Sequence, residues 1–515
     1  MDSMGKGFLL GIDNSGDQCA EEEFFNAAAL RAIGARFVVK HYRPSHSVAE
    51  EARLARLFVR KAEENGIYVI LNVEIGNWAE TLVSPDGWDW VSREDGGHRF
   101  RFPAEVLEAF ASSEAFAGVL YDEAEHAQMF RNLSIGLEGG TPDLPFFPDK
   151  PGLTLLETGE HIVECAKQLV GENLASGAPR VLCEYVWPSL MHPFAKAGMH
   201  IAFKQQKENW SNIWAACAIG AARQYGCELW ACVDNWYRID YPGHEPDEMA
   251  ANLLFAYRAG IDRAYVENIG GESNFYTIQP DGSLELGKYG KLYRQFADTY
   301  LGGPERGYSH LDIEPDIAVV KYDDTFWGQG KGMPWRDMLF GSPEHRAAPE
   351  SGEWIKAIHT VTHGTVRPDT LSWSRWDLTL GQPHRSFAPA KGLVVYDENA
   401  VYEQLKSARL IFLCGRYISE ATLAAAGALV KEGATAVTAA RFAPDGVRLP
   451  GEQGTAETAD GNGRWIVTAD MGCGEVKRLV ADLIGAPDEI TYRLRGGKTV
   501  RLRISPDGNT LEELQ

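Results

Sequence analysis

Eight short apolar runs, each followed by a stretch of helical periodicity, fill the first ~300 residues and constrain the fold more than any other feature. The runs are "GFLLGID" (7–13), "ARFVVKHY" (35–42), "IYVILNVE" (67–74), "FAGVLYDE" (116–123), "RVLCEYVW" (180–187), "MHIAFKQ" (199–205), "ELWACVDNW" (228–236) and "RAYVENI" (263–269). They are apolar on both faces, as strands of a covered parallel sheet must be. Amphipathic segments lie between them, such as "EEEFFNAAALRAIG", "EEARLARLFVRKAEENG" and "PDEMAANLLFAYRAG". The first two close on a helix-stopping glycine. This count predicts an α/β fold, a (β/α)8 TIM barrel over residues 1–307. A doubly wound open sheet is the alternative, but it seldom needs eight such units.

The pattern then restarts. "DIAVVKYDD", "KGLVVYDEN", "ARLIFLCG" and "GATAVTA" are apolar strands, with "SEATLAAAGALVKEG" as a helix between the last two. A smaller flavodoxin-like α/β domain is expected over 308–450 and a small β-rich element over 451–515. The text from 322 to 390, with "WGQGKGMPWRDMLFGSPEHR", reads as a long loop.

The formal net charge of −22 disfavours nucleic acid or an anionic membrane as the main partner, since both reward basic patches. Eight scattered cysteines without CxxC pairs read as core residues of a reducing compartment. The N-terminus has no apolar stretch of signal length, and no run reaches membrane-spanning length. A cytoplasmic protein is the expectation. No phosphate-cradling GxxxxGK[ST] motif and no zinc-peptidase HExxH occurs, so no cofactor and no metal is expected.

In a barrel the C-terminal strand ends share one mouth, where the chemistry sits. Those ends carry Asp13; Lys40, His41 and Arg43; Asn72 and Glu74; and Tyr121, Asp122, Glu123 and His126. The second half adds Glu184 and Trp187; Lys204 and Gln206; Asp234, Asn235 and Trp236; and Glu267. Carboxylates and amides bind hydroxyls, while Trp and Tyr cover the C–H faces of sugar rings. Glycosidic hydrolysis needs an acid on one side of the bond and a base or nucleophile on the other. The crowd "YDEAEH" therefore reads as the proton donor's place, where like charges raise the pKa of whichever group holds the proton. Blander readings stand beside this one. Asp122 is also a candidate ligand of a neighbouring lysine, Glu267 a structural partner of Lys40 or Lys204, and His41 a packed strand-end histidine. Asp122, Glu123 and His126 also have a spacing that would hold a divalent metal.

The layout resembles barrel glycoside hydrolases that carry a flavodoxin-like and a small β domain after the barrel, such as the β-galactosidases with a trimerisation domain. Their strand four carries Asn-Glu and their strand-seven nucleophile is Glu. Here the same places read Asp122-Glu123 and Asp234. The Asp-Glu pair also resembles barrel hexosaminidases, which implies Glu123 as acid. The chain further resembles inverting sialidases of barrel type, which implies Asp13 as general base and His126 as general acid. On that likeness Lys40, Arg43, Arg131 and Lys204 are the candidates to hold a sialoside's carboxylate. The expected activity is an exo-sialidase, with neutral β-glycosidase or hexosaminidase chemistry, or a non-catalytic carbohydrate-binding barrel, as alternatives. The expected partner is a carbohydrate, and self-association through the second domain is expected.

Overall fold

The computed structural model describes residues 4, 7–14, 27–42, 47–73, 102–123, 152–185, 188–207, 209–235, 243–267, 275–301, 306–324, 349–367, 385–451 and 454–514. Eight parallel strands close into a barrel in chain order. They are β1 (Leu9–Asn14), β2 (Phe37–His41), β3 (Tyr68–Asn72), β4 (Phe116–Asp122), β5 (Val181–Tyr185), β6 (His200–Gln205), β7 (Leu229–Asp234) and β8 (Arg263–Glu267). This is the (β/α)8 barrel the sequence predicts.

Side chains alternate across each strand, so every second residue points into the barrel. The inward residues low in the barrel are apolar or aromatic: Phe37 and Val39, Ile70, Leu120, Leu182, and Trp230. Outward residues such as Val38, Val69 and Val119 join the larger core beneath the helices. On β4 the alternation is interrupted at Gly118, whose φ of +155° favours glycine. The register against β3 shifts there, which lets Ala117, Leu120 and then Asp122 all face inward. The helices begin on local signals. Leu155–Ala175 starts from a reciprocal capping box between Thr154 and Glu157.

A short hairpin follows the barrel, β9 (Tyr276–Ile278) with β10 (Leu284–Leu286), and then a helix, Lys288–Tyr300. Two further sheets come after β11 (Ile313–Glu314). The larger contains β12 (Ile317–Lys321), β14 (Leu393–Asp397), β15 (Leu410–Cys414), β16 (Thr435–Thr438), β17 (Thr455–Asp460) and β18 (Gly463–Thr468). Its order is β14-β12-β15-β16-β18-β17, with only the edge strand β17 antiparallel. Without that edge strand the order is 2-1-3-4-5, that of doubly wound flavodoxin-like sheets. The smaller sheet joins β11 and β13 (Ala390–Lys391) to β19 (Glu489–Leu494), β20 (Thr499–Ile504) and β21 (Leu511–Glu513).

Sheet membership differs from the expected division at 450. Both β17 and β18 belong to the second domain's sheet, because Trp465 and Ile466 complete its buried face beside β16. The expected loop 322–390 contains a helix, Glu353–Val361, whose Trp354 and Ile358 are buried. The stretch 327–346 lies outside the described residues.

The barrel and the second sheet share one continuous core. Barrel helix Ser211–Tyr225 lies so close to β14 that a Cβ on Gly220 would come within 1.6 Å of the Val395 carbonyl oxygen. Asn212 locks the contact by donating to Ala388 O at 2.7 Å and accepting from Ala388 N at 3.0 Å. Among the described residues no helix is long and apolar enough to cross a membrane, and no disulfide joins the seven described cysteines.

Candidate active site at the barrel mouth

Two residues beyond the apolar layer, each strand presents its last inward residue. In chain order these are Asp13, His41, Asn72, Asp122, Glu184, Lys204, Asp234 and Glu267. All eight are polar and all are buried. Alternation thus turns eight scattered residues into one ring.

Lys204 is the hub. Its Nζ lies 2.9 Å from Glu267, 3.0 Å from Glu123, 3.0 Å from Glu184, 3.4 Å from Asp122 and 3.7 Å from Asp234. Asn209 fixes the hub's backbone by donating to Lys204 O at 3.0 Å. On the other side of the ring, His41 Nε2 contacts both Asp13 oxygens, at 2.8 and 3.0 Å. Asn72 bridges the two halves, lying 3.2 Å from His41 and donating to Asp122 at 3.1 Å. Gln206 donates to Asp234 Oδ2 at 3.0 Å.

One ammonium does not neutralise so many acids, and the ring retains protons as a result. Burial pushes Glu184 up to about 8; Lys204 opposes the shift, Glu267 adds to it, and the Tyr265 hydroxyl donating to Glu184 opposes it. Burial, followed by the charge of Asp234, likewise drives Glu267 well above the usual carboxylate range against the pull of Lys204. Burial alone would lower the Lys204 ammonium, but Asp122, Glu123, Glu184 and Glu267 hold it well above the ordinary lysine value.

Glu123 stands apart from the ring. It follows the last residue of β4, its side chain is 15% exposed, and its φ is +47°. Non-glycine residues rarely adopt this left-handed backbone, and where they do the surrounding structure imposes it, most often at functional sites. Here the Glu123 N–H donates to Glu184 O at 3.0 Å, which holds the turn.

Glu184, Cys232 and Glu267 bring their ligand atoms close enough together for a metal ion. The Lys204 ammonium already lies at 3.0 and 2.9 Å from the two glutamates, so a cation's place in this cluster is filled by the protein itself.

Two predicted substrate-binding residues are corrected by the geometry. Lys40 is one step out of phase with His41 and points away from the barrel, its ammonium 4.7 Å from the centre of the Phe58 ring. Tyr121 is out of phase with Asp122 and accepts from Asn173 of helix Leu155–Ala175 at 2.9 Å. Glu267 takes Lys204 as its partner, and Asp122 meets the same lysine, as their blander readings foresaw. His41 is bonded to Asp13 rather than merely packed. Asn235 is buried after β7, and its side-chain amide has no hydrogen-bond partner among the described residues. Arg43, Glu74, His126, Arg131, Trp187 and Trp236 lie outside the described residues. Sequence reasoning passed over Tyr265, Cys232 and Asn209. The first two sit two positions before Glu267 and Asp234, so alternation alone would have placed them on the same inward face.

No protein-family model and no curated protein matches the chain. Solved structures do. A β-galactosidase from Bacillus circulans sp. alkalophilus superposes with a TM-score of 0.54 at 12% identity, over 97% of this chain and 93% of that one. An exo-β-1,4-mannosidase from Opitutaceae bacterium strain TAV5 gives 0.52 at 12% identity, over 94% and 96%. At such identity what is shared is the fold, and it is shared over nearly the whole chain.

Proposed function

We propose that this chain is a glycoside hydrolase that cleaves a neutral glycoside with retention, using Glu123 as acid and base and Asp234 as nucleophile. The observation that carries the reading is the convergence of these two groups, from opposite strand ends, on one ammonium at 3.0 and 3.7 Å. With those contacts end to end, their nearest oxygens are at most about 6.7 Å apart. That limit is compatible with the ≈ 5–5.5 Å between the carboxyl groups of double displacement. Glu123, at the more open position, protonates the glycosidic oxygen while Asp234 bonds to the anomeric carbon. Glu123 then takes a proton from the water that releases the sugar. Gln206 aims Asp234, and Lys204 balances the charge that moves between the two carboxylates. The two structural neighbours that match over nearly the whole chain, a β-galactosidase and an exo-β-1,4-mannosidase, support the same class.

A neutral substrate fits the charge. Asp122, Glu123, Glu184, Asp234 and Glu267 all meet one engaged lysine and Asp13 pairs with His41, so no free cation among these residues is left to hold a sialoside's carboxylate. The inverting sialidase, with Asp13 as base and His126 as acid, is the second reading. It is favoured by the two contacts through which His41 orients Asp13. A panel of chromogenic β-galactoside, β-mannoside, N-acetylhexosaminide and sialoside separates the readings. Release from a neutral glycoside, lost in Glu123→Gln, is expected. Release from the sialoside alone would move the assignment to Asp13, and binding without release would make the barrel a lectin.

A further inference from the structure

A cavity of about 210 Å³ opens at the carboxyl ends of β12 and β14, beneath barrel helices Leu155–Ala175 and Met191–Lys196. In doubly wound sheets this place, where the strand order reverses, is where ligands bind. Its floor is built at a cost. Lys321 and Asp323 form a buried ion pair at 2.8 Å, with the ammonium 4.4 Å from the centre of the Trp354 ring. A buried ion pair contributes little to stability compared with well-packed apolar residues. Asp397 is held by three donors, the Gln224 amide, the Tyr225 hydroxyl and the Asn399 N–H. In the same wall, the hydroxyls of Ser189 and Tyr322 are buried without a hydrogen-bond partner among the described residues. Burial lowers His192 to about 4, so this imidazole is neutral at pH 7.

We propose that this cavity binds a single neutral sugar ring, separately from the barrel mouth. Carboxylates, ammonium groups and an amide line a space that two tyrosines also line, buried Tyr322 and exposed Tyr417, in an edge-to-face pair 6.0 Å apart. That is the mixture that reads ring hydroxyls and C–H faces together. A cavity of about 150 Å³ takes a benzene ring, so this one has room for one substituted six-membered ring. Glu160, Asp323, Asp397 and Glu398 outnumber Lys196 and Lys321, which disfavours phosphate and therefore nucleotides and flavins. The inference does not depend on the proposed hydrolysis.

The test is binding of D-glucose, D-galactose and D-mannose at millimolar concentration to the full-length protein, by saturation-transfer NMR and calorimetry. Tyr417, 40% exposed, and Asn399, also exposed, can be replaced without disturbing the core. One sugar is expected to bind about tenfold more weakly to Tyr417→Ala, and more weakly to Asn399→Ala, while both variants keep whatever aryl-glycoside turnover the wild type shows. The proposal is overturned if no sugar binds, or if binding is the same in both variants as in the wild type. Displacement of the bound sugar by inorganic phosphate would overturn the chemical class.

Discussion

Low in the barrel, the inward positions hold Phe37, Val39, Ile70, Leu120, Leu182 and Trp230; one inward step higher, the same strands hold acids, amides, a histidine and a lysine. Both layers are buried, and both are made by the same backbone. The lower layer removes apolar surface from water and so closes the barrel. The upper layer takes five acids out of water with one lysine, which opposes folding. A barrel needs the first layer and gains nothing in stability from the second. The difference between them marks the ring as the place where stability gives way to chemistry.

Substitutions in the two layers should therefore fail differently. The largest effect is on turnover: Glu123→Gln should lower kcat/KM on a substrate with a poor leaving group by roughly 10²–10⁴-fold with the fold intact. Leu182→Ala should lower stability by about 2–5 kcal/mol and leave the folded fraction active. Equal loss of activity in both would erase the distinction. Next comes Lys204→Met, which strips the hub from its acids and should cost about 3–5 kcal/mol at pH 7. That loss should shrink at pH 5, as the abandoned carboxylates take up protons, whereas the Leu182→Ala loss should be similar at both. Urea unfolding at the two pH values reads this directly.

Glu184 sharpens the comparison further. Its folded pKa is raised from the ordinary 4.5 to about 8, so the folded state holds a proton that the unfolded state releases within that window. Its stabilising contribution is complete below 4.5 and is lost as pH rises through about 8. The slope approaches ~1.4 kcal/mol per pH unit between those limits. Glu184→Gln should flatten that part of the stability curve; superimposable curves would show that the ring does not hold the proton there. The smallest effects belong to the two out-of-phase residues. Lys40→Met and Tyr121→Phe should each cost about 1 kcal/mol and leave kcat/KM within about twofold. A loss of activity like that of Glu123→Gln would mean that these side chains do face the substrate.

The barrel was legible because eight two-faced apolar runs have few other ways to be buried. All eight ring residues were legible too, since each is the polar group that ends a strand. What was not legible was phase. Lys40 and Tyr121 end strands as visibly as His41 and Asp122, and only alternation, with the interruption at Gly118, separates inside from outside. Tyr265 and Cys232 were missed because their residue types look like core. The 450 boundary went astray because β18 pairs with β16 at a separation of 29 residues, a long-range pairing with no local signal, while β17 lies at the edge as an ordinary hairpin partner. The Lys204 hub is likewise a product of closure: its partners come from four other strands or strand ends.

The central claim is that the barrel mouth cleaves a glycosidic bond by double displacement between Glu123 and Asp234. Its most direct test is proton NMR of the first-formed sugar, recorded before mutarotation, during hydrolysis of the aryl glycoside the enzyme accepts. The account predicts the substrate's own anomer. The opposite anomer would contradict it and return the base to Asp13.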